Sequence, residues 1–152
     1  MIDILATKIQ EILNINDNNF EDKEIYNILN NLNFTNFDFS EFKLKPTLPY
    51  SKFKLYNNMC FEIYIIFWHA NKKSKIHDHS KNGCWLKVLN GNIVEYIYDK
   101  KLNLIKTNNL KKNDIGFMKD NTVGYHSICN ISKNTAITLH IYSPVNHKTL
   151  YF

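Results

Sequence analysis

The chain has 152 residues, 44% of them apolar and 14% aromatic, and carries a formal charge of +5. That is enough to bury a core within one domain and too apolar for a disordered chain. All of the basic excess is lysine, since the sequence contains no arginine; the lysines fall in scattered pairs beside turns, without a basic helix or nucleic-acid motif, so they read as a solvated surface and no nucleic-acid partner is expected.

In chain order, Ile2, Leu5, Ile9, Ile12 and Leu13 recur at helical spacing, followed by Ile25, Ile28, Leu29 and Leu32 behind a candidate cap at Asp22. A third short helical turn fits residues 39–44. The pattern changes at residues 46–49 (PTLP), after which the segments read as strands. Residues 61–68 (FEIYIIFW) are β-branched and aromatic. Residues 84–89 (CWLKVL) run into Asn90-Gly91, a hairpin signal, and then into residues 92–98 (NIVEYIY). Further short strands are predicted at residues 102–107, 114–118, 125–131 and 136–142. Their spacing is that of a sandwich or closed barrel. The whole chain, 1–152, reads as a single domain with a helical cap over 1–45 and a β-barrel over 46–152.

The opening MIDILATKIQEIL lacks the basic and long apolar regions of a secretory leader, and no stretch reaches membrane-spanning length. Cys60, Cys84 and Cys129 are an odd number without zinc-type spacing, which argues for a reducing compartment. A cytoplasmic protein without a membrane partner is expected.

The chemistry concentrates at Ile76-His77-Asp78-His79-Ser80. On an extended segment, residues two apart share a face, so His77 and His79 project together. Neutral imidazole suits several transition metals. An H-x-H pair alone is a weak signal, but a third histidine, His126, stands in a glycine-punctuated β segment with Gly116, Gly124 and Asn130. An H-x-H on one strand and a single His several strands later is the order in which cupin barrels assemble a metal site. Five residues after His79, where cupins usually supply a carboxylate, stands Cys84, so the predicted ligands are three neutral histidines. Such a site keeps the metal's full positive charge and favours anionic ligands, thiolate above all.

The run IHDHSKNGCWLKVLNGNIVEYIYD resembles the first motif of the cysteine dioxygenase family, and KDNTVGYHSICNISKNTAITLHIYSP resembles the second, with its closing L-H-x-Y-S-P. The resemblance runs from about Pro49 to Pro144 and implies a cupin-type (jelly-roll) β-barrel. It implies Fe(II) held by His77, His79 and His126, and an enzyme that places both atoms of O2 on the sulfur of L-cysteine or a related small thiol to give a sulfinic acid. The partners would be that thiol and O2, and the family's habit is monomeric. Cys84 and Tyr142 match the pair that forms a thioether cross-link in animal members. Thr138, His140 and Tyr142 match the family's Ser-His-Tyr relay, with threonine for serine. Trp68 is read as core packing. The family holds the substrate carboxylate with an arginine; here Lys52 takes that place, Tyr50 can add a hydroxyl, and Lys54 on the same face is a second candidate. Lysine is a point charge rather than a bidentate fork, so the exchange is not conservative. The alternative is a metal-binding cupin of non-oxidative function, an isomerase, lyase or small-molecule sensor.

Overall fold

Residues 61–68 are apolar at nearly every position because both faces of their strand are covered. The computed structural model, which describes residues 1–16, 22–119 and 124–152, has two helices, α1 (Ile2–Ile15) and α2 (Asp22–Asn31). Nine strands follow: β1 (Tyr50–Asn57), β2 (Glu62–Trp68), β3 (Lys72–Lys73), β4 (Gly83–Asn90), β5 (Ile93–Tyr98), β6 (Leu104–Leu110), β7 (Ile115–Met118), β8 (Tyr125–Asn130) and β9 (Ala136–Ser143). They form a five-stranded sheet in the order β1-β2-β9-β4-β7 and a four-stranded sheet in the order β3-β8-β5-β6. All strand pairs are antiparallel.

The helices cover the outer face of the larger sheet. Leu5, Ile9 and Leu13 of α1, with Ile25 and Leu29 of α2, pack against Ile63, Ile65, Phe67, Trp85, Leu139 and Ile141. The recurrence at three and four residues that predicted these helices is the stripe they bury. Lys87 also points to this outer side. Its ammonium is buried and donates to the carbonyls of Leu29 (2.6 Å) and Leu32 (2.9 Å), satisfying acceptors left open at the end of α2. A single lysine thus ties the cap to the barrel.

The inner face follows from the alternate residues of the same strands. Cross-strand rows run Lys52–Ile66–Thr138–Val88, then Tyr64–His140–Leu86, then Glu62–Tyr142–Cys84. Apolar side chains at one end of this face, Ile66, Trp68, Leu86, Val88 and Ala136, close against Ile93 and Ile128 of the smaller sheet. Glu62, Tyr64 and Tyr142 lie toward the other end, and Lys52 and His140 stand in the rows where the two ends meet. The interior is therefore graded from an apolar plug to a polar mouth, and the site lies at the mouth.

Three sequence expectations change. Asn90-Gly91 does not close a hairpin: β4 and β5 belong to different sheets, so the turn is a corner at which the chain crosses over. Gly91 has φ +74° there, which explains the residue choice without implying paired flanks. No helix forms over residues 39–44; Phe42 N–H bonds to the Phe39 carbonyl in an isolated turn, and the phenylalanines pack on Phe53 and Phe67 instead. Asp22 is the first residue of α2 rather than its cap, and with Glu24 it places acidic charge in the first turn, where the helix dipole favours it. The strands β1 and β3 are additions to the predicted set.

Candidate metal centre

His77 and His79 lie on the segment that runs antiparallel to β8, and His77 forms a bridge with His126 itself, exchanging N–H···O bonds in both directions (2.9 and 3.1 Å). This backbone pairing brings the two motifs together. Gly124 permits it: with φ +133°, a Cβ at this position would stand 1.9 Å from the carbonyl oxygen of Tyr98. The expected glycine-punctuated segment is in fact split, since Gly116 lies in β7 of the larger sheet.

The ligand atoms of His77, His79 and His126 all lie within 4.8 Å of one another. The Nε2 of His126 is 2.8 Å from that of His79 and 3.1 Å from that of His77. Metal–imidazole bonds of about 2.0–2.1 Å meeting at right angles place neighbouring nitrogens about 3 Å apart, so the spacing fits an ion between them. The second nitrogens strengthen the case. His77 Nδ1 is 2.9 Å from the Lys75 carbonyl, and His126 Nδ1 is 2.8 Å from a carboxylate oxygen of Glu95. Facing acceptors, both Nδ1 atoms carry the hydrogen, which leaves two Nε2 lone pairs directed at each other. A cation resolves that conflict. Burial, the largest cause, lowers the pKa of all three rings, with mutual repulsion adding to it at His79 and His126, so neutral ligands are favoured.

Glu95 was not singled out from the sequence. It lies on β5 opposite Ile128, on the inner face and diagonal to His126. Its carboxylate is buried and also accepts from Asn108 Nδ2 (2.9 Å). The carboxylate absent from the usual cupin place thus stands behind a histidine. The signal was there: Ile93, Glu95 and Ile97 alternate, and a charged residue on the apolar phase of a strand needs a buried partner. Glu95→Gln should weaken metal binding about 10- to 100-fold, as loss of such outer partners does. Competition with a chelator measures it, and unchanged affinity would mean that Glu95 does not orient His126.

Beside the triad, Trp68 Nε1–H donates to Thr138 Oγ1 (2.8 Å), and Thr138 Oγ1 lies 2.8 Å from His140 Nε2. His140 Nδ1 lies 3.2 Å from the Tyr142 hydroxyl and 3.5 Å from Cys84 Sγ. Trp68 therefore packs against Tyr50 and also starts a hydrogen-bonded string, a second role beyond core packing. With the Thr138 hydroxyl donating to Nε2, the His140 Nδ1–H donates to the Tyr142 oxygen, and the phenol hydrogen is left to bond the Cys84 sulfur or an occupant of the cavity. Cys84 and Tyr142 are cross-strand partners. Burial pushes the Cys84 thiol up to about 12 and the Tyr142 phenol well above its ordinary value, so both are favoured in their neutral forms.

The space in front of these groups holds about 80 Å³ of room for water-sized molecules. Its walls include Tyr50, Lys52, Glu62, Tyr64, His147 and Tyr151. Lys54 is tied to Glu62 (2.6 Å), whereas the Lys52 ammonium lies over the rings of Tyr64 and Tyr142. Lys52 is exposed as a residue, yet its pKa is lowered, chiefly by desolvation. Tyr50 lines the same cavity, and burial raises its phenol to about 12. Asp78 faces away from the triad. It accepts from the Leu150 N–H (2.7 Å), its other contact is His147 Nε2 (3.0 Å), and it holds residues 147–152 as one wall. Of the second motif, residues 120–123 lie outside the described residues.

A family model described as Cysteine dioxygenase type I matches residues 4–151. Cysteine dioxygenase type 1 of Homo sapiens is 37% identical over 91 residues, covering 55% of this chain and 45% of that protein. The Bos taurus protein is 38% identical over the same length and coverage, and that of Danio rerio 34% over 92 residues. The chain spans less than half the length of these relatives. Among solved structures, a Lactobacillus farciminis oxalate decarboxylase formate complex aligns with TM-score 0.61 at 15% identity, covering 74% of this chain and 34% of that one. The Schizosaccharomyces pombe Cnp3 cupin domain aligns with TM-score 0.59 at 15% identity, covering 72% and 73%. At this identity the two structures show the fold, a cupin barrel.

Proposed function

The chain belongs to the cysteine dioxygenase type I family, and from that premise we propose that it is an iron(II)-dependent thiol dioxygenase acting on L-cysteine or a related small thiol. The observation that supports this most is the set of converging Nε2 atoms of His77, His79 and His126, without a carboxylate among them. The cap, residues 1–45, and the barrel, residues 46–152, serve as one unit. The reaction is RS⁻ + O2 → RSO2⁻. Sulfur loses four electrons and dioxygen gains four, so no outside reductant is required.

Bound to the three histidines, iron(II) supplies the redox chemistry by which dioxygen reacts with a thiolate. The chain's own residues bind, orient and shield. Neutral His77, His79 and His126 leave the metal's charge uncompensated, which favours a thiolate over a neutral ligand. Lys52 holds the carboxylate of the substrate, and Tyr50 adds a hydroxyl at the same end of the cavity. The Trp68–Thr138–His140 string fixes the imidazole tautomer and so points the Tyr142 hydrogen at the substrate. Cys84, opposite Tyr142, packs the floor beside it. Ile66, Trp68 and Ile128 close the rear of the cavity against water.

The absence of arginine favours a second reading, a cupin that binds metal and does no oxidation. Oxygen uptake by the iron-loaded protein with L-cysteine, 3-mercaptopropionate and cysteamine separates the two. Uptake coupled to sulfinate with at least one thiol supports the dioxygenase. Thermal stabilisation by a thiol that is never turned over supports the second reading.

A further inference from the structure

Lysine is a poor substitute for a guanidinium because its four-carbon stem leaves the charge free to wander, whereas a planar fork is organised in advance. The surroundings of Lys52 supply what its own chemistry lacks. Its Nζ lies 4.1 Å from the ring centroid of Tyr64 and 4.5 Å from that of Tyr142. The two rings stand nearly at right angles, 80°, with centroids 5.7 Å apart. The ammonium therefore sits in a corner between two π faces, and it makes no hydrogen bond or ion pair among the described residues. The neighbouring Lys54 is taken up by Glu62 at 2.6 Å. The Lys52 cation thus faces the cavity without a direct ion pair; Glu62, the carboxylate that acts on it through space, is already bonded to Lys54.

We propose that Tyr64 is a specificity-determining residue whose ring face fixes the Lys52 ammonium, so that the site selects thiols bearing a carboxylate over amino thiols that lack one. The inference rests on the reading of this cavity as the thiol site. Tyr64 reaches Lys52 because β1 and β2 pair antiparallel: Tyr64 stands opposite Lys54 and diagonal to Lys52, on the inner face. Tyr142, the second ring, is already committed to His140 through its hydroxyl. Tyr64 is the ring that can be changed without breaking that string. It is a positioning residue for Lys52, and its effect is read in binding rather than in the chemical step.

Anaerobic calorimetric titration of the iron(II)-loaded protein with 3-mercaptopropionate and with cysteamine tests this without turnover. Tyr64→Leu, which removes the π face, should weaken 3-mercaptopropionate about tenfold and cysteamine by less than about twofold. Tyr64→Phe, which keeps the face, should recover the affinity. In a Lys52→Met background Tyr64→Leu should cause no further loss. Should the leucine variant fail to fold, Tyr64→Met removes the same face with a side chain that fills irregular gaps. The proposal is overturned if both thiols weaken equally, if phenylalanine loses as much as leucine, or if the unaltered protein shows no preference for the carboxylate thiol. Selective binding without oxidation of any thiol would sink the dioxygenase reading and leave this one standing. Thiol oxidation indifferent to Tyr64 would do the reverse.

Discussion

His126→Ala should abolish stable metal binding and with it any thiol oxidation. His126 offers the Nε2 closest to both other ligands, at 2.8 and 3.1 Å, and is the one bridged to a buried carboxylate. Loss of an outer partner costs about 10- to 100-fold in metal affinity, so loss of a ligand should exceed the upper figure of about 100-fold. The substitution also leaves Glu95 buried without its imidazole, at a cost of about 1–3 kcal/mol in stability. A melting curve must therefore accompany the metal analysis. His77→Ala provides the separate check, because its Nδ1 partner is only the Lys75 carbonyl. It should lose metal with little change in melting temperature. A variant of either kind that keeps one tightly bound metal per chain would show that the three histidines are not the ligand set.

Lys52→Met should raise KM for a carboxylate-bearing thiol and leave cysteamine nearly untouched. The substitution retains an apolar stem and deletes the charge. Truncating one partner of a desolvated, hydrogen-bonded charge pair costs upward of 2 kcal/mol, and the exposure of Lys52 argues for the low end, about 2–3 kcal/mol or roughly 30- to 150-fold. Steady-state kinetics with 3-mercaptopropionate, L-cysteine and cysteamine reads the difference. Equal losses for all three would mean that Lys52 supports the barrel mouth rather than the substrate. Unaltered kinetics would return attention to Tyr50 and to His147 on the opposite wall.

The parts of this structure legible in the sequence are those set by local periodicity or by residue pairs close in the chain. Helical spacing located α1 and α2, since each helix buries one stripe. The β-branched run of β2 declared itself because both of its faces are covered. The H-x-H pair needed only the two-residue repeat of an extended segment to place His77 and His79 together. What escaped depends on which strand lies beside which. Asn90-Gly91 supplies the positive φ of a tight turn, but that property is the same whether the next strand pairs back or crosses to the other sheet. β1 alternates over Lys52-Phe53-Lys54-Leu55, but its inward phase is the polar one because it carries the site lysine, so its pattern reads as a solvated surface. β3 is two residues long and has no pattern to read. Glu95 and Tyr64 lie 31 and 12 residue positions from His126 and Lys52, the cross-strand diagonal neighbours that give them their roles, and only the register reveals those neighbours.

The most direct test of the account is isotopic. Protein purified without a histidine tag, loaded anaerobically with iron(II) and mixed with a small thiol, should be exposed to ¹⁸O2 and its product weighed by mass spectrometry. The account predicts one O2 consumed per sulfinate formed, with both labelled oxygens on the sulfur. Iron bound at His77, His79 and His126 with no oxygen consumed, or with disulfide as the only product, would contradict it.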